Sequence, residues 1–492
     1  MPEKRQIGID AISVYVPRLF IDTSELANVR NVDPSKYVNG LGCEKIAVND
    51  TYEDAATMAA NSIWKLMQDN GLDKETEKIG RIYVATESND DMSKTIAIRV
   101  HGMLEGKLGN GSLRNVGAVD YKEACVSPAY VVESYADWLL SGRNKGKVGI
   151  IATTDIAKYG LKTDAEPTQG AGSVAMVLKE DPRLLAFEPL DDLPVFGTYT
   201  HDVPDFWHPN DLEVAQTLGP YSDWCYQLAM KYAYADWAKE AKRWIPFKED
   251  EALTDHVDVM CPHLPYSNQG KKFLTYVLRH EWQKLPRWAG IVEKIGPEPK
   301  LECEMSKEDA IEAYLFEKCV DRTDFKAKNP VAWEAVDNYL YKDDEFRKKF
   351  AKTPEFEAAF KNKMDATLIA SRQVGNIYTG SAWLGIASMF ERKLQLGCKM
   401  EGKRIGIGSY GSGCSAKVFS AIVQPGWKDA TGKIKLFETL DRRVKLTISE
   451  YEALHNGKTK KPSVMLTPSN EFVLKEIGEG KLHGYRFYAF AE

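Results

Sequence analysis

The chain offers one cysteine in a setting suited to nucleophilic work. In KEACVSPAY, Cys125 follows a short β-like run, Val116–Tyr121. It precedes a segment whose Tyr130, Val131, Tyr135, Trp138 and Leu139 fall at three-and-four spacing, the period of a helix. Pro128 sits where a first helical turn tolerates its missing N–H. Cys125 is therefore expected at a strand-to-helix junction, where unpaired N–H groups favour a thiolate and lower the thiol pKa. The competing reading is a small buried hydrophobe, the commonest fate of a free cysteine. Glu87 follows an apolar run, IGRIYVAT, and suits a general acid or base if desolvated; a carboxylate capping the helix near Ser93 is the alternative. His263 closes VDVMCPH and could hydrogen-bond a carbonyl oxygen or help deprotonate a thiol, or be structural. GSYGSG, Gly408–Gly413, supplies flexible backbone N–H groups that could approach an oxyanion or a thioester. Lys271 and Lys272 could meet a phosphate, or simply be surface. The other histidines, at 101, 201, 208, 256, 280, 455 and 483, have no metal-ligand spacing, so no metal site is expected.

Those side chains need positioning elements. An alternating strand is expected over Gln6–Val16 and a short capped helix over Thr23–Asn28. Helices are expected over Asp50–Asn70 and Ser93–Leu104, with a buried strand Ile79–Thr86 between them. After the Cys125 junction comes an apolar strand, Val148–Thr154, ending at Asp155. A Gly-rich turn then leads into a strand within Gly170–Leu178. This alternation is a wrapped α/β pattern. It places Glu87, Cys125 and Asp155 after successive strands, where ligands bind in open α/β sheets. A looser copy follows: a helix Asp223–Lys242, a strand Val257–Pro262 ending at His263, a helix from Gly270, an apolar helix from Ser381, and strands Arg404–Ser409 and Lys417–Gln424 about the turn YGSGCS. The repeated pattern suggests an internal duplication, with no residue-level repeat. Glu281 to about Asn362 reads as an inserted set of amphipathic helices, a cover or an interface. The tail from Leu446 is mixed and ends in a strand, GYRFYAFAE.

The 492 residues allow two or three domains. Hydrophobic content of 43% and charged content of 28% are those of a globular protein. A net charge of −6, with both signs interspersed, argues against a general nucleic-acid binder. No stretch approaches a membrane span, and no signal-peptide core is present at the N-terminus. Eight cysteines without a CxxC pair read as reduced thiols of a cytoplasmic protein.

A cysteine, a glutamate, a histidine and a glycine loop together fit acyl transfer through a thioester. At that point the chain resembles the hydroxymethylglutaryl-CoA synthases of the thiolase superfamily. The resemblance runs through ATESNDDMSK, KEACVSPAY, TTDIAKYG, EPTQGAGSVAMVL, HDVPDFWHPN, CPHLPYSNQGKK, VGNIYTGSAWLGIASMFE and IGIGSYGSGCSAKVFSAIV, in that order. It implies an α/β, thiolase-like fold of two similar βαβαβ-type halves in an α-β-α-β-α layering. Residues 1–182 would carry Glu87 and Cys125, and residues 183–492 would carry His263 and the insertion at about 281–362. By the same resemblance Cys125 would take up an acetyl group, Glu87 would deprotonate its methyl, and His263 would polarise the acetoacetyl thioester or ketone. Asp155 and Asp205 would order the site. Thr168, Asn376, Tyr378, Ser409, Gly411 and the Gly411–Gly413 backbone would position substrate, with Lys271 or Lys272 nearby. Implied partners are acetyl-CoA, acetoacetyl-CoA or related acyl thioesters, a second copy of the chain in a homodimer, and an acyl-carrier or partner-enzyme contact, with no nucleic acid and no membrane. No metal or organic cofactor is implied beyond the CoA of the substrates.

Four departures stand out. Val126, Ser127, Pro128 and Ala129 replace the aromatic residue, two glycines and threonine that usually follow the cysteine. Asn268 stands where many members carry a CoA-contacting lysine. The S-E-Y-P block is absent before the Asp223 helix. The insertion is far larger than in compact bacterial members. Beside a synthase feeding isoprenoid precursors, two readings stay open: a relative acting on another β-ketoacyl thioester, CoA- or carrier-bound, and a non-catalytic thiolase-fold subunit of a complex.

Overall fold

The computed structural model describes residues 6–190, 193–246, 248–457 and 467–492. Ten strands form the main sheet: β1 (Ile7–Tyr15), β2 (Ile79–Ala85), β3 (Gly117–Tyr121), β4 (Val148–Ala157), β5 (Gly170–Glu180), β6 (Leu185–Phe187), β7 (Gly197–Thr200), β8 (Val259–Pro262), β9 (Arg404–Gly411) and β10 (Ser415–Val423). Their order is β8-β9-β10-β6-β1-β5-β4-β2-β3, with β7 pairing β10. From the β1/β6 centre the two sides repeat. Outward from β1 come β5, antiparallel, then β4, antiparallel, then β2, parallel. Outward from β6 come β10, β9 and β8 in the same relations. The duplication therefore lies in topology, and the sheet changes sides between Glu180 and Leu185. Among the described residues only the first side has an outer strand, β3. In the chain position of its counterpart, the described residues hold the five helices of the insertion, Arg287–Ile295 to Pro354–Lys363.

Seven further helices clothe the sheet: α1 (Ala55–Asn70), α2 (Ile96–Leu108), α3 (Ser127–Leu140), α4 (Gly219–Ala241), α5 (Gln269–Trp282), α6 (Asp365–Val374) and α7 (Ser381–Gln395). Strand side chains alternate between the two sheet faces, and the cores divide accordingly. Ile150, Ala175 and Val177 pack with α1 and α2. Ile151, Val174 and Met176 pack with α3 and α7, as do Val259, Cys261, Ile405 and Ile407 from the other side. Met260, Ala416 and Val418 pack with α4, α5 and the insertion. The result is helix, sheet, helix, sheet, helix, with α3 and α7 as the doubly covered middle layer. That is why α7 is buried on nearly every residue from Ser381 to Glu391.

Several boundaries differ from expectation for local reasons. α1 begins at Ala55 because Asp54 caps it, accepting from the Thr57 N–H at 2.8 Å; Asp50–Glu53 folds as a turn instead. α2 begins at Ile96 because Asp91 takes the N–H groups of Ser93 and Lys94, each at 2.8 Å, and Thr95 is the cap. β4 runs through Asp155 to Ala157, so Asp155 lies inside a strand. The turn before β5 is a 3-10 turn, Glu166–Thr168, that ends ahead of the glycines: Gly170 is already strand, and its glycine admits the Asn376 carbonyl, which would stand 2.5 Å from a Cβ. β9 extends to Gly411 and β10 starts at Ser415, so most of the expected glycine loop is strand. The expected last strand is Arg486–Ala491, paired with Glu471–Ile477. Part of the mixed tail, 458–466, lies outside the described residues.

Candidate active site

Cys125 stands between β3 and α3 as expected, 7% exposed. Ala124, just before it, has φ +41°, a left-handed conformation that a side chain adopts only when its surroundings enforce it. The Ser127 hydroxyl donates to the Ala124 carbonyl at 2.8 Å and accepts the Glu123 N–H at 2.6 Å. From the other half, Gly411 closes on the same turn: a Cβ there would stand 2.8 Å from the Glu123 carbonyl and 2.9 Å from the Val126 nitrogen. Ser127, one of the residues that depart from the usual motif, thus builds a hydrogen-bonded turn around Cys125.

The Cys125 thiol donates to Glu87 Oε1 at 2.8 Å. Glu87 does not cap a helix. Asp155 organises the ground beneath it. Its Oδ1 accepts from the Glu87 N–H at 2.7 Å, the Ser88 hydroxyl at 2.8 Å and the Thr86 hydroxyl at 3.1 Å. Its Oδ2 accepts from the Thr379 N–H at 3.1 Å and from the Thr379 hydroxyl. Thr379 belongs to the second half, so Asp155 ties the two halves together under the site.

Electrostatics follow from this enclosure. Burial raises the Asp155 carboxyl to about 6, its five donors opposing the rise, so it is an anion near neutrality. Desolvation, reinforced by that anion, pushes the Glu87 carboxyl well up. Burial, followed by the facing Glu87 and Asp155 charges, pushes the Cys125 thiol up as well. This corrects the expected lowering at a helix N-terminus: two carboxylates and loss of water outweigh the helix end. The resting site therefore keeps its protons on Cys125 and Glu87.

His263 is 2% exposed at the end of β8. Its N–H donates to the Gly408 carbonyl at 2.7 Å, and its own carbonyl accepts from the Tyr226 hydroxyl at 2.9 Å. Burial pushes the imidazole down to about 3, so it is neutral at working pH, and its Nδ1 is buried without a partner. The ring lies 6.4 Å from that of Tyr410. Asp205 accepts the Tyr410 hydroxyl at 2.8 Å, the Ser222 hydroxyl at 3.1 Å and the Gly413 N–H at 2.7 Å. It fixes the β9–β10 turn beside the cysteine.

Cys125 shares an apolar cluster with Ala157, Tyr159, Ala215 and Tyr378, with Phe206 packed against it. Tyr378 has φ +42°, matching Ala124 at the corresponding place before α7. Asn376 Oδ1 accepts the Tyr378 N–H and the Ser381 hydroxyl, each at 2.9 Å, and the Asn376 N–H donates to the Thr168 carbonyl at 2.9 Å. The Thr168 hydroxyl is turned to Ala165 at 2.7 Å, so Thr168 contributes backbone only. Ser409 Oγ is buried without a partner. Lys271 and Lys272 take no part in these contacts. Lys272 donates to Asp223 at 2.6 Å and to the Tyr266 hydroxyl at 2.7 Å; Lys271 lies over the Phe360 ring at 5.7 Å. Asn268, in the place of a lysine, donates to the Asn39 carbonyl at 2.7 Å. Sequence reasoning passed over Thr379, Tyr159, Phe206 and Ala215, and noted Ser127 only as a departure from the motif. All but Ala215 fall inside quoted motif blocks, which was the available signal; a contact across the halves leaves no mark in sequence.

Two family models match the chain. One for the N-terminal part of hydroxymethylglutaryl-coenzyme A synthase covers residues 3–182, and one for its C-terminal part covers 332–471. A hydroxymethylglutaryl-CoA synthase of Haloferax volcanii is 29% identical over 98% of both chains. One of Enterococcus faecalis is 30% identical over 91% of both. Among solved structures, MvaS in complex with 3-hydroxy-3-methylglutaryl coenzyme A superposes with a TM-score of 0.77 at 28% identity, covering 99% of this chain and 100% of that one.

Proposed function

The chain belongs to the hydroxymethylglutaryl-CoA synthase family, and from that premise we propose that it condenses acetyl-CoA, acetoacetyl-CoA and water into hydroxymethylglutaryl-CoA and free CoA, by way of an acetyl thioester on Cys125. The observation that carries the assignment of residues is the 2.8 Å hydrogen bond from the Cys125 thiol to Glu87, in a site where both groups rest protonated. Acylation needs the thiolate. Glu87, once ionised, is the hydrogen-bonded acceptor of the thiol proton: the thiolate attacks the thioester carbonyl, Glu87 passes the proton on to the departing CoA sulfur, and CoA leaves with Glu87 again a carboxylate. With acetyl on the sulfur, Glu87 is placed to take a proton from the methyl group, and the resulting carbon nucleophile adds to the ketone of acetoacetyl-CoA. Water then cleaves the thioester, freeing Cys125 and leaving the new carboxylate. His263, neutral and with an unpartnered buried nitrogen, donates to the acceptor carbonyl. Asp155 and Asp205 hold the two walls, and Asn376 and Tyr378 shape the acyl end.

We extend the reading to the chain's setting. CoA thioesters are substrates, and a thiol, a carboxylate and an imidazole complete the chemistry without a resident metal or organic cofactor. No described helix is long and apolar enough to cross a membrane. All eight cysteines are free, which supports work in the reducing cytoplasm, supplying isoprenoid precursors through the mevalonate route. The unpaired outer edge of β3 supports a homodimer formed by edge-to-edge pairing.

The test is intact-protein mass spectrometry after incubation with acetyl-CoA. The wild type is expected to gain one acetyl group and Cys125→Ala none; acetoacetyl-CoA then discharges the adduct into product. Adduct formation only from another acyl-CoA, or only from an acyl-carrier thioester, moves the assignment to a related condensing enzyme. No adduct from any donor makes the chain a non-catalytic subunit.

A further inference from the structure

The loop that continues from Glu87, Ser88 to Thr95, is pinned at both ends. At its start the Ser88 hydroxyl donates to Asp155 at 2.8 Å and accepts the Ile156 N–H at 3.0 Å. At its far end it meets the C-terminal hairpin of β11 (Glu471–Ile477) and β12 (Arg486–Ala491). Arg486 Nε pairs with Asp90, and its Nη1 donates to Asp54 at 3.1 Å. Asp90 is held on its other side by Arg99, whose second nitrogen stands 3.5 Å from Asp91. Lys94 donates to the Tyr485 hydroxyl at 3.2 Å and lies 4.5 Å from that ring's centre.

The hairpin is itself firmly seated. Phe472 and Phe490 meet the Trp64 ring edge-on at 6.3 and 6.1 Å. Asn61 exchanges two hydrogen bonds with the Phe472 backbone, at 2.9 and 2.6 Å. The Tyr488 hydroxyl donates to Asp54 at 3.0 Å, the residue that caps α1. The Arg486 and Asp90 side chains are each only 21% exposed and Asp54 12%, so these pairs are less screened than open surface pairs. The family match ends at 471, so the strand bearing Arg486 lies beyond it.

We infer that the C-terminal hairpin is a clamp that sets the Glu87 loop, with Arg486 as its positioning residue. The inference rests on the reading of Glu87 as the base of the condensation. A loop held rigidly at both ends keeps the carboxylate within reach of the acyl methyl. Releasing one end leaves the nucleophile turn untouched and loosens only the base.

The test combines kinetics and hydrogen exchange on the full chain. Arg486→Ala is expected to lower kcat by the order of ten- to a hundredfold, the scale of a small misplacement at a reacting centre. Acetylation of Cys125, which also passes its proton through Glu87, should slow along with kcat, while the KM for acetyl-CoA should change less than about twofold, since uniform binding is untouched. Exchange should rise in the 87–95 peptide and not around Cys125. Arg486→Lys, which can still pair with Asp90, should restore much of the rate. Asp90→Asn, which also loses the Arg99 pair, should lower kcat at least as far as Arg486→Ala, adding Arg486→Ala to it should cost little more, and this arm stands if Arg486→Ala fails to fold. Unchanged kcat and unchanged exchange at 87–95 in folded Arg486→Ala or Asp90→Asn would overturn the clamp. A wild type that makes no hydroxymethylglutaryl-CoA would overturn the functional reading instead, leaving the clamp to the exchange measurement.

Discussion

Two carboxylates within one enclosure cannot both hold their charge cheaply, and the site distributes that cost unevenly. Asp155 has five donors and Glu87 one; Asp155 keeps the charge and Glu87 the proton. A base that must be ionised loses activity as pH falls through its pKa, so the raised Glu87 pKa sets the acid limb of kcat. Asp155→Asn removes the neighbouring anion, Glu87 ionises more readily, and the limb should move to lower pH, even though the weakened scaffold lowers the plateau. A pH–rate profile checks this; a limb that stays or moves up removes the coupling. Glu87→Gln should cost about 10²- to 10⁴-fold in condensation, the usual worth of a general base, read by product formation under saturating substrates. His263, held down to about 3, contributes no limb near neutrality. His263→Ala should leave acetylation of Cys125 intact and raise the KM for acetoacetyl-CoA. The places of Cys125, Glu87 and His263 at strand ends were legible from residue type and motif. The direction of the Cys125 shift was not, because sequence showed the helix end and not the carboxylates facing it.

At the scale of elements, the nucleophile turn is held from two sides. Ser127, fully buried, carries both local hydrogen bonds; Ser127→Ala leaves the Glu123 N–H and the Ala124 carbonyl without that partner, a loss of about 1–3 kcal/mol that thermal unfolding would show. Gly375 has φ +85°, and a Cβ there would sit 1.7 Å from the Gln169 carbonyl. Gly375→Ala must push β5 away from the Asn376 segment and should destabilise by more than the ~1 kcal/mol of an ordinary glycine substitution. Most strands and helices could be read from period and caps. The errors fell where a side chain outside the local pattern set the boundary, as Asp91 does by drawing Ser93 and Lys94 into a loop.

At the scale of the molecule, the halves share a strand order and differ in one outer strand. The half that has it, through β3, exposes an unpaired edge with Val119 42% exposed. Sedimentation should give about twice the 55.3 kDa chain mass, and Val119→Glu should shift it toward one copy; a wild-type monomer would remove the homodimer. The insertion occupies the place of the missing strand and docks through Tyr221–Glu312, Lys231–Glu308 and Arg279–Asp343. It leaves a cavity of about 810 Å³ beside Thr217–Pro220, close in the chain to Ala215, which shares an apolar cluster with Cys125.

Alternation of apolar residues, capping residues and motif order are local properties. By itself the sequence therefore determined the α/β class, the doubled pattern, the family and where the three candidate side chains stand. Tertiary structure decided what depends on residues far apart in the chain. Thr379 completes the shell of Asp155 across 224 positions, Gly411 closes on the Cys125 turn, and Arg486 reaches the Glu87 loop from the last strand. Protonation belongs to the same class, because the pKa of a buried acid is set by which charges and how much water folding leaves around it.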